Sequence, residues 1–368
     1  MVEHLGDIFG EQRALAAGRA FVDLSEREVI AVTGADRLSW IDSLTSQSLA
    51  RLQPGESAET LLLDPSGRIE YAARVIDDGE TTWLLMDAGT GAGFAAFLER
   101  MRFMLRVEVA DRSAEYATIG MLGAREPAAD AVSTLRRDAD APLGQRLLDV
   151  SAAPNGVPLV WNDPWTAVQP GGHQYARGAH PGADWSYREV LVERTRLGEL
   201  ADAPQAGTLA LEALRIAAWR PRAATELDAT AIPHEFDWLR SAVHLAKGCY
   251  RGQETVAKVH NLGHPPRRLV LLHLDGSDEV LPAAGDELRL GRPQDDGTVV
   301  GRITASARHY ELGPIALALV KRSADPASEL TVVADAGLVP ATQELIVPPD
   351  AGAEVEVPRI PRLGAVRR

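Results

Sequence analysis

The one cysteine in this 368-residue chain sits in polar company, in Lys247-Gly248-Cys249-Tyr250-Arg251-Gly252-Gln253-Glu254. A thiol that serves only packing sits among aliphatic side chains. Here Lys247 and Arg251 flank the sulfur, where cations favour thiolate over thiol, and the two glycines let the backbone approach a partner closely. The composition points to a reactive or ligand-binding thiol, against the alternative of an inert buried one. A single cysteine closes no intramolecular disulfide. Nor does it supply the ligand set of an iron–sulfur cluster. Redox exchange or cluster ligation by Cys249 therefore needs a second molecule.

Three more residues have types and places that suit chemistry. Arg215 lies on the apolar stripe Leu211, Leu214 and Ala218 of a helix expected over 209–219. An inward arginine needs an anionic or acceptor partner. That partner is either internal, Glu226 or Glu235, or a bound ligand. Glu226, in Thr225-Glu226-Leu227-Asp228, reads as a solvated loop acid or as a carboxylate for a ligand's N–H edge. Glu235 follows Ile232-Pro233-His234, where a carboxylate can anchor a strand to a helix.

Other signals do not carry chemistry. Gly89-Thr90-Gly91-Ala92-Gly93 opens a helix as a phosphate loop would, but its third glycine comes one residue early for the dinucleotide fingerprint. His260 and His264 have metal-ligand spacing for a helix, yet Gly263 and Pro265 argue against one there. His234-Glu235 has Trp238 where a zincin needs its second histidine. No resident metal is expected.

The elements that must place these residues alternate irregularly. Strands are expected at 27–32, 58–63, 68–75 and 83–86, helices after Asp36 and over 91–101, and extended chain at 106–109. Asp64-Pro65-Ser66-Gly67 has the composition of a type I turn. This order indicates an α+β fold, not a doubly wound sheet. Residues 123–146 read as a surface helix with loops, 151–186 as long Pro/Gly/Trp-rich loops, and 187–193 as a strand. After Pro265-Pro266 come short β runs at 268–274, 286–290, 298–306, 315–321 and 329–333, as in a small barrel. The expected domains are 1–265, a β-barrel at 266–347, and an extended or disordered tail at 348–368.

Net charge is −14 and the pI about 5.2. That field repels nucleic acid and anionic membranes, so no direct nucleic-acid binding is expected. Arg267-Arg268 reads as a solvated strand edge in preference to a basic patch. No run approaches ~18 apolar residues, so no membrane span is expected. The acidic start Met1–Asp7 has no hydrophobic signal core, and with one cysteine the expected location is the cytoplasm.

The octapeptide resembles the signature of the YgfZ family, folate-binding relatives of the glycine-cleavage T-protein (the aminomethyltransferase) linked to iron–sulfur cluster assembly or repair. Leu24-Ser25, Val32-Thr33-Gly34-Ala35-Asp36 and Leu44-Thr45-Ser46-Gln47 look like the opening of that fold. So do Leu211–Ile216, Glu226 and Ile232-Pro233-His234-Glu235. Gly301–Ser306 with Leu312-Gly313 looks like its C-terminal barrel. The resemblance runs from about 20 to about 345 and is weak from about 110 to 205. It implies a cloverleaf of ferredoxin-like α+β subdomains, two of them intertwined, around a folate cavity, with the barrel closing one side.

By that resemblance tetrahydrofolate or a derivative is the cofactor, with Arg215, Glu226, Glu235, Lys247 and Tyr250 as its candidate contacts and Cys249 as the reacting group. The T-protein loop ends similarly without the cysteine, which implies a shared structural role for Gly252 and Glu254 and a branch-specific one for Cys249 and Tyr250. Implied partners are iron–sulfur proteins or cluster-assembly factors. One departure separates the branches. The aspartate that the aminomethyltransferase needs for methylene transfer falls on Ala72, in Gly67-Arg68-Ile69-Glu70-Tyr71-Ala72-Ala73. Alanine neither hydrogen-bonds a pterin nor handles a proton. The expectation is an accessory protein. Its alternative is a one-carbon transferase or demethylase in which Glu70 takes over the aspartate's role.

Overall fold

Two five-stranded sheets and a closed six-stranded barrel organise the described residues, 2–123, 143–295 and 297–355, of this computed structural model. The first sheet has the order Ser57–Leu63, Ile69–Asp77, Thr81–Met86, Glu28–Thr33, Glu108–Asp111 and is antiparallel throughout. Its inner strands read as apolar runs because both faces are covered. One face (Ile30, Val32, Ala73, Val75, Leu84) packs under Trp40 and Ile41 of the Arg37–Leu44 helix and Phe94 and Leu98 of the Gly91–Met101 helix. The other face (Val29, Ala31, Leu61, Trp83, Leu85) looks into the central core.

The second sheet gathers distant segments: Gln205–Ala206, Phe21–Asp23, Tyr116–Leu122, Tyr187–Glu193 and Val160–Asn162. Its first two strands are parallel, so residues near both ends of the first 265 belong to one layer. The Thr208–Ala217 helix then crosses between the Ile8–Ala16 helix and the barrel.

The barrel runs Arg267–Leu274, Gly313–Lys321, Val299–His309, Glu287–Leu290, Leu330–Ala334, Gly337–Leu345 and closes on its first strand, which leaves no sheet edge. Alternation along Arg267–Leu274 explains its seat. Val270 and Leu272 fill the barrel interior, while Leu269 and Leu271 join the central core.

Several local expectations change. The sixth barrel strand, Gly337–Leu345, escapes pattern reading because Pro340 interrupts it. Residues 151–186 are irregular but not superficial: Trp161, Trp165, Tyr175 and Trp185 are core side chains. The 123–146 segment falls mostly outside the described residues, which resume with the Leu143–Asp149 helix. Of the tail, 348–355 lies along the helix Gln253–Leu262, with Glu354 N–H donating to the His260 carbonyl, and the rest lies outside the described residues. Arg267-Arg268 is neither a solvated edge nor a basic patch. Arg268 is fully buried, donating to the Ala324 carbonyl and Gln343, and Arg267 is ion-paired. Among the described residues no helix is long and apolar enough to cross a membrane.

Candidate functional site

The cysteine loop is clamped at both ends. Lys247, its side chain buried, donates to the carbonyls of Asp42 (2.5 Å), Thr45 (2.9 Å) and Gln47 (2.7 Å). Burial lowers its pKa, and Asp42 at 3.3 Å opposes that. Arg251 pairs with Glu70 at 2.7 Å and lies 5.6 Å over the Phe97 ring. Both cations place their hydrogen bonds elsewhere than at the sulfur. What they secure is position: Cys249 is exposed on a loop tied to the Asp42–Gln47 corner on one side and to Glu70 of the first sheet on the other. Tyr250 is buried beside Lys247, and burial pushes its hydroxyl pKa up. That hydroxyl has no partner.

Gly252 then takes φ +85° and starts the Gln253–Leu262 helix. A Cβ there would meet the Asp64 carbonyl oxygen at 2.6 Å, so the close approach read from the glycines falls on Gly252 and the Asp64–Gly67 turn. Gly248 is open. Gln253 returns a bond to the Lys247 carbonyl, and Glu254 is exposed in the helix's first turn, where a carboxylate suits the dipole. The helix ends at Leu262, so His260 and His264 do not share it.

At the junction of the two sheets and the Thr208–Ala217 helix lies a cavity of about 350 Å³. Arg27, Arg74, Arg215, Arg220 and Arg222 line it with Trp185 and Tyr187. Arg27 and Arg74 both pair with Asp87 and Glu189. Burial opposes ionisation at Asp87, but the two guanidiniums prevail and hold its carboxyl well below the usual range. Tyr187 donates to Glu189 Oε1 at 3.0 Å. Glu189 Oε2 and the Nε of Arg27 and Arg222 are buried with no partner. Buried polar atoms are normally satisfied. Arg27 and Arg222 line the cavity, and donors left open there are what a polar ligand would complete.

No family model matches the chain. It is 26% identical over 314 residues, 81% of its length, to the Arabidopsis thaliana protein named "Putative transferase At1g60990, chloroplastic". It is 24% identical over 268 residues, 67% of its length, to the mitochondrial iron–sulfur cluster assembly factor IBA57 homolog of Mycosarcoma maydis. The chain spans 65% and 55% of these relatives' lengths. Its fold matches the glycine cleavage system aminomethyltransferase T of Bartonella henselae with a TM-score of 0.65 at 17% identity, over 91% of this chain and 87% of that one. The chain has the T-protein fold.

Within that fold, the site residues read from sequence divide. Arg215 is at the cavity, bonded to Glu212 (2.5 and 3.0 Å), Glu226 (3.1 Å) and the Arg220 carbonyl (2.6 Å). Glu226 is thus its internal partner. Glu226 is fully buried and accepts from Arg215, Thr225, Thr304 and the Arg222 N–H, so its oxygens are occupied. Glu235, also fully buried, holds Arg267 at 2.7 and 2.8 Å and is the anchor of the barrel.

Glu70 is turned away. The strand register skips it, Tyr71 facing Leu62 and Ile69 facing Leu63, and this bulge sends its carboxylate out to Arg251. Ala72 packs on the central core, and Arg74, two residues on, reaches the cavity. Sequence reading missed Arg27, Arg74, Asp87 and Glu189. They come from four different strands or strand ends, and only the assembled sheets bring them together. The glycine-rich opening of the Gly91–Met101 helix is taken by a carboxylate: Gly91 N–H donates to Glu28 at 2.5 Å. No cluster that could hold a metal occurs among the described residues.

Proposed function

We propose that this chain is a tetrahydrofolate-binding accessory protein of the YgfZ type that supports iron–sulfur cluster assembly or repair through Cys249. The observation that carries the reading is the exposed thiol, fixed by Lys247 and Arg251 on a T-protein fold. The iron–sulfur assembly role named for one relative agrees with it. The cavity suits a folate chemically. Trp185 and Tyr187 offer aromatic surface, and Arg222 would meet a carboxylate. Bound folate would supply a one-carbon carrier, while this chain's residues would hold and orient it.

The competing one-carbon transferase reading follows the name of the other relative. It needs an acid where Ala72 stands. Glu70, the only candidate read from sequence, is paired on the outer surface with Arg251.

The test is alkylation of Cys249 against pH, with and without tetrahydrofolate, alongside thermal unfolding. The reading expects a reactive thiol and a rise in unfolding temperature with folate, growing with the logarithm of its concentration. No thermal shift would overturn the cavity assignment, and a thiol inert until unfolding would make Cys249 structural. Folate-dependent formaldehyde turnover lost in Glu70→Gln would establish the transferase instead.

A further inference from the structure

The Gly91–Met101 helix ends in an apolar loop that the protein leaves uncovered. Met101, Phe103, Met104 and Leu105 are exposed, Phe103 at 89% and Met104 at 95%. Phe103 also takes left-handed backbone, φ 48°, which aromatic residues rarely adopt. Consecutive exposed apolar side chains of this size mark an interaction surface more often than a plain one.

The loop borders an open groove of about 820 Å³ whose walls include Leu44, Phe97, Arg100, Met101 and Arg251. Phe97 lies between two guanidiniums, Arg100 at 5.9 Å and Arg251 at 5.6 Å. Arg251 is paired with Glu70, but Arg100 has no carboxylate partner among the described residues. Neither has Arg68, whose turn packs on Gly252. Cys249 is two residues from Arg251, within ~7 Å of extended chain. The groove, the apolar loop and the thiol therefore share one neighbourhood.

We propose that this face is the docking surface for a partner protein that presents an apolar side chain flanked by carboxylates and brings its reacting group to Cys249. The proposal rests on reading Cys249 as a thiol that meets a second molecule. Phe103 and Met104 supply the apolar contact, and Arg100 and Arg68 the charge that an acidic segment matches. A bilayer is the other surface such a loop could enter. The chain's net charge of −14 opposes approach to anionic lipid, whereas a protein segment needs only this local patch.

The full chain is tested with two labelled peptides, one alternating Leu and Glu and its Lys-for-Glu twin, at about 0.1 M salt to screen distant charge. Fluorescence anisotropy reads docking with cysteine-free peptides. Docking is expected for the acidic peptide, at least tenfold tighter than for the basic twin, and lost at least tenfold in Phe103→Ser/Met104→Ser and in Arg100→Glu. These surface changes leave folding intact, which the far-UV spectrum and unfolding temperature verify. Equal binding of both peptides, or unchanged binding in both variants, overturns the proposal. So does binding of the wild type to phosphatidylglycerol vesicles, lost in the double variant, without peptide binding.

Thiol chemistry is read separately. Cys249 is converted to its thionitrobenzoate disulfide. A peptide thiolate attacks the Cys249 sulfur, the new peptide–Cys249 disulfide forms, and the nitrobenzoate thiolate leaves. Saturable, acid-selective exchange with 2-mercaptoethanol rates equal in all variants supports delivery to Cys249. A Cys249 that no thiol or disulfide reagent reaches, with docking intact, overturns the reactive-thiol reading and leaves the docking surface standing.

Discussion

Arg215 and Asp237 show how single residues divide between stability and function here. From sequence Arg215 reads as a ligand contact or an internal pair, and the structure bonds it to Glu212 and Glu226. Removing one partner of a buried pair strands the other charge. Arg215→Met is expected to cost about 3–5 kcal/mol, read as a lower urea midpoint with or without folate. Lysine is not expected to rescue it, since it cannot reproduce the forked contact. Asp237 is fully buried, at φ 54°, and accepts from Tyr175 N–H at 2.5 Å, with His180 Nε2 3.9 Å away and Arg240 nearby. Burial pushes its carboxyl up to about 7, against the pull of the Tyr175 N–H and Arg240. The raised acid binds a proton in the native state that the unfolded chain releases near pH 4, so its contribution falls as pH rises from about 4 to 7. His180 and His234, lowered to about 3 by burial, act oppositely below about pH 6.5. The difference between wild type and Asp237→Asn isolates the acid. The variant should gain stability relative to wild type between pH 5 and 8, and parallel unfolding-temperature profiles would refute the raised pKa.

At the scale of elements, two tight turns meet under the cysteine loop. Gly252 and Gly67 both have positive φ, and each lacks room for a Cβ against the other's segment. Gly252→Ala should cost about 1–3 kcal/mol from backbone conformation alone, with more from the Asp64 carbonyl contact. The Gln253–Leu262 helix and the Asp64–Gly67 turn should then lose amide-exchange protection together. Lys247→Met removes the donors that hold three carbonyls in the Asp42–Gln47 corner. Faster proteolysis of 42–47 is expected, with Cys249 still exposed. If proteolysis is unchanged, the clamp is not what orders that corner. The same element logic explains Glu70. Alternation alone would put it on the Ala72 face, and one bulge moves it outside.

Across the whole molecule, the barrel is held to the core by Arg267, which bridges Asp228 and Glu235, by Arg302 to Asp228, and by the Thr304–Glu226 hydrogen bond. Arg267→Met should weaken this junction and split the unfolding transition, the barrel melting apart from the rest in calorimetry. A single unshifted transition would show that apolar contacts such as Leu269 and Leu271 suffice. This long-range assembly also marks the limit of sequence reading. The cysteine motif, the α+β class and most strands are legible in the chain, because each depends on local composition or alternation. The sixth barrel strand was hidden by Pro340, and the Phe21–Asp23 and Tyr116–Leu122 strands by partners far along the chain. Only the folded structure decided that Lys247 serves carbonyls, that Glu226 and Glu235 are sealed, and that Arg27, Arg74 and Asp87 line the cavity while Glu189 pairs with the two arginines. A side chain's type records what it can bond. Which partner it bonds is set by register and by the packing of segments far apart in sequence.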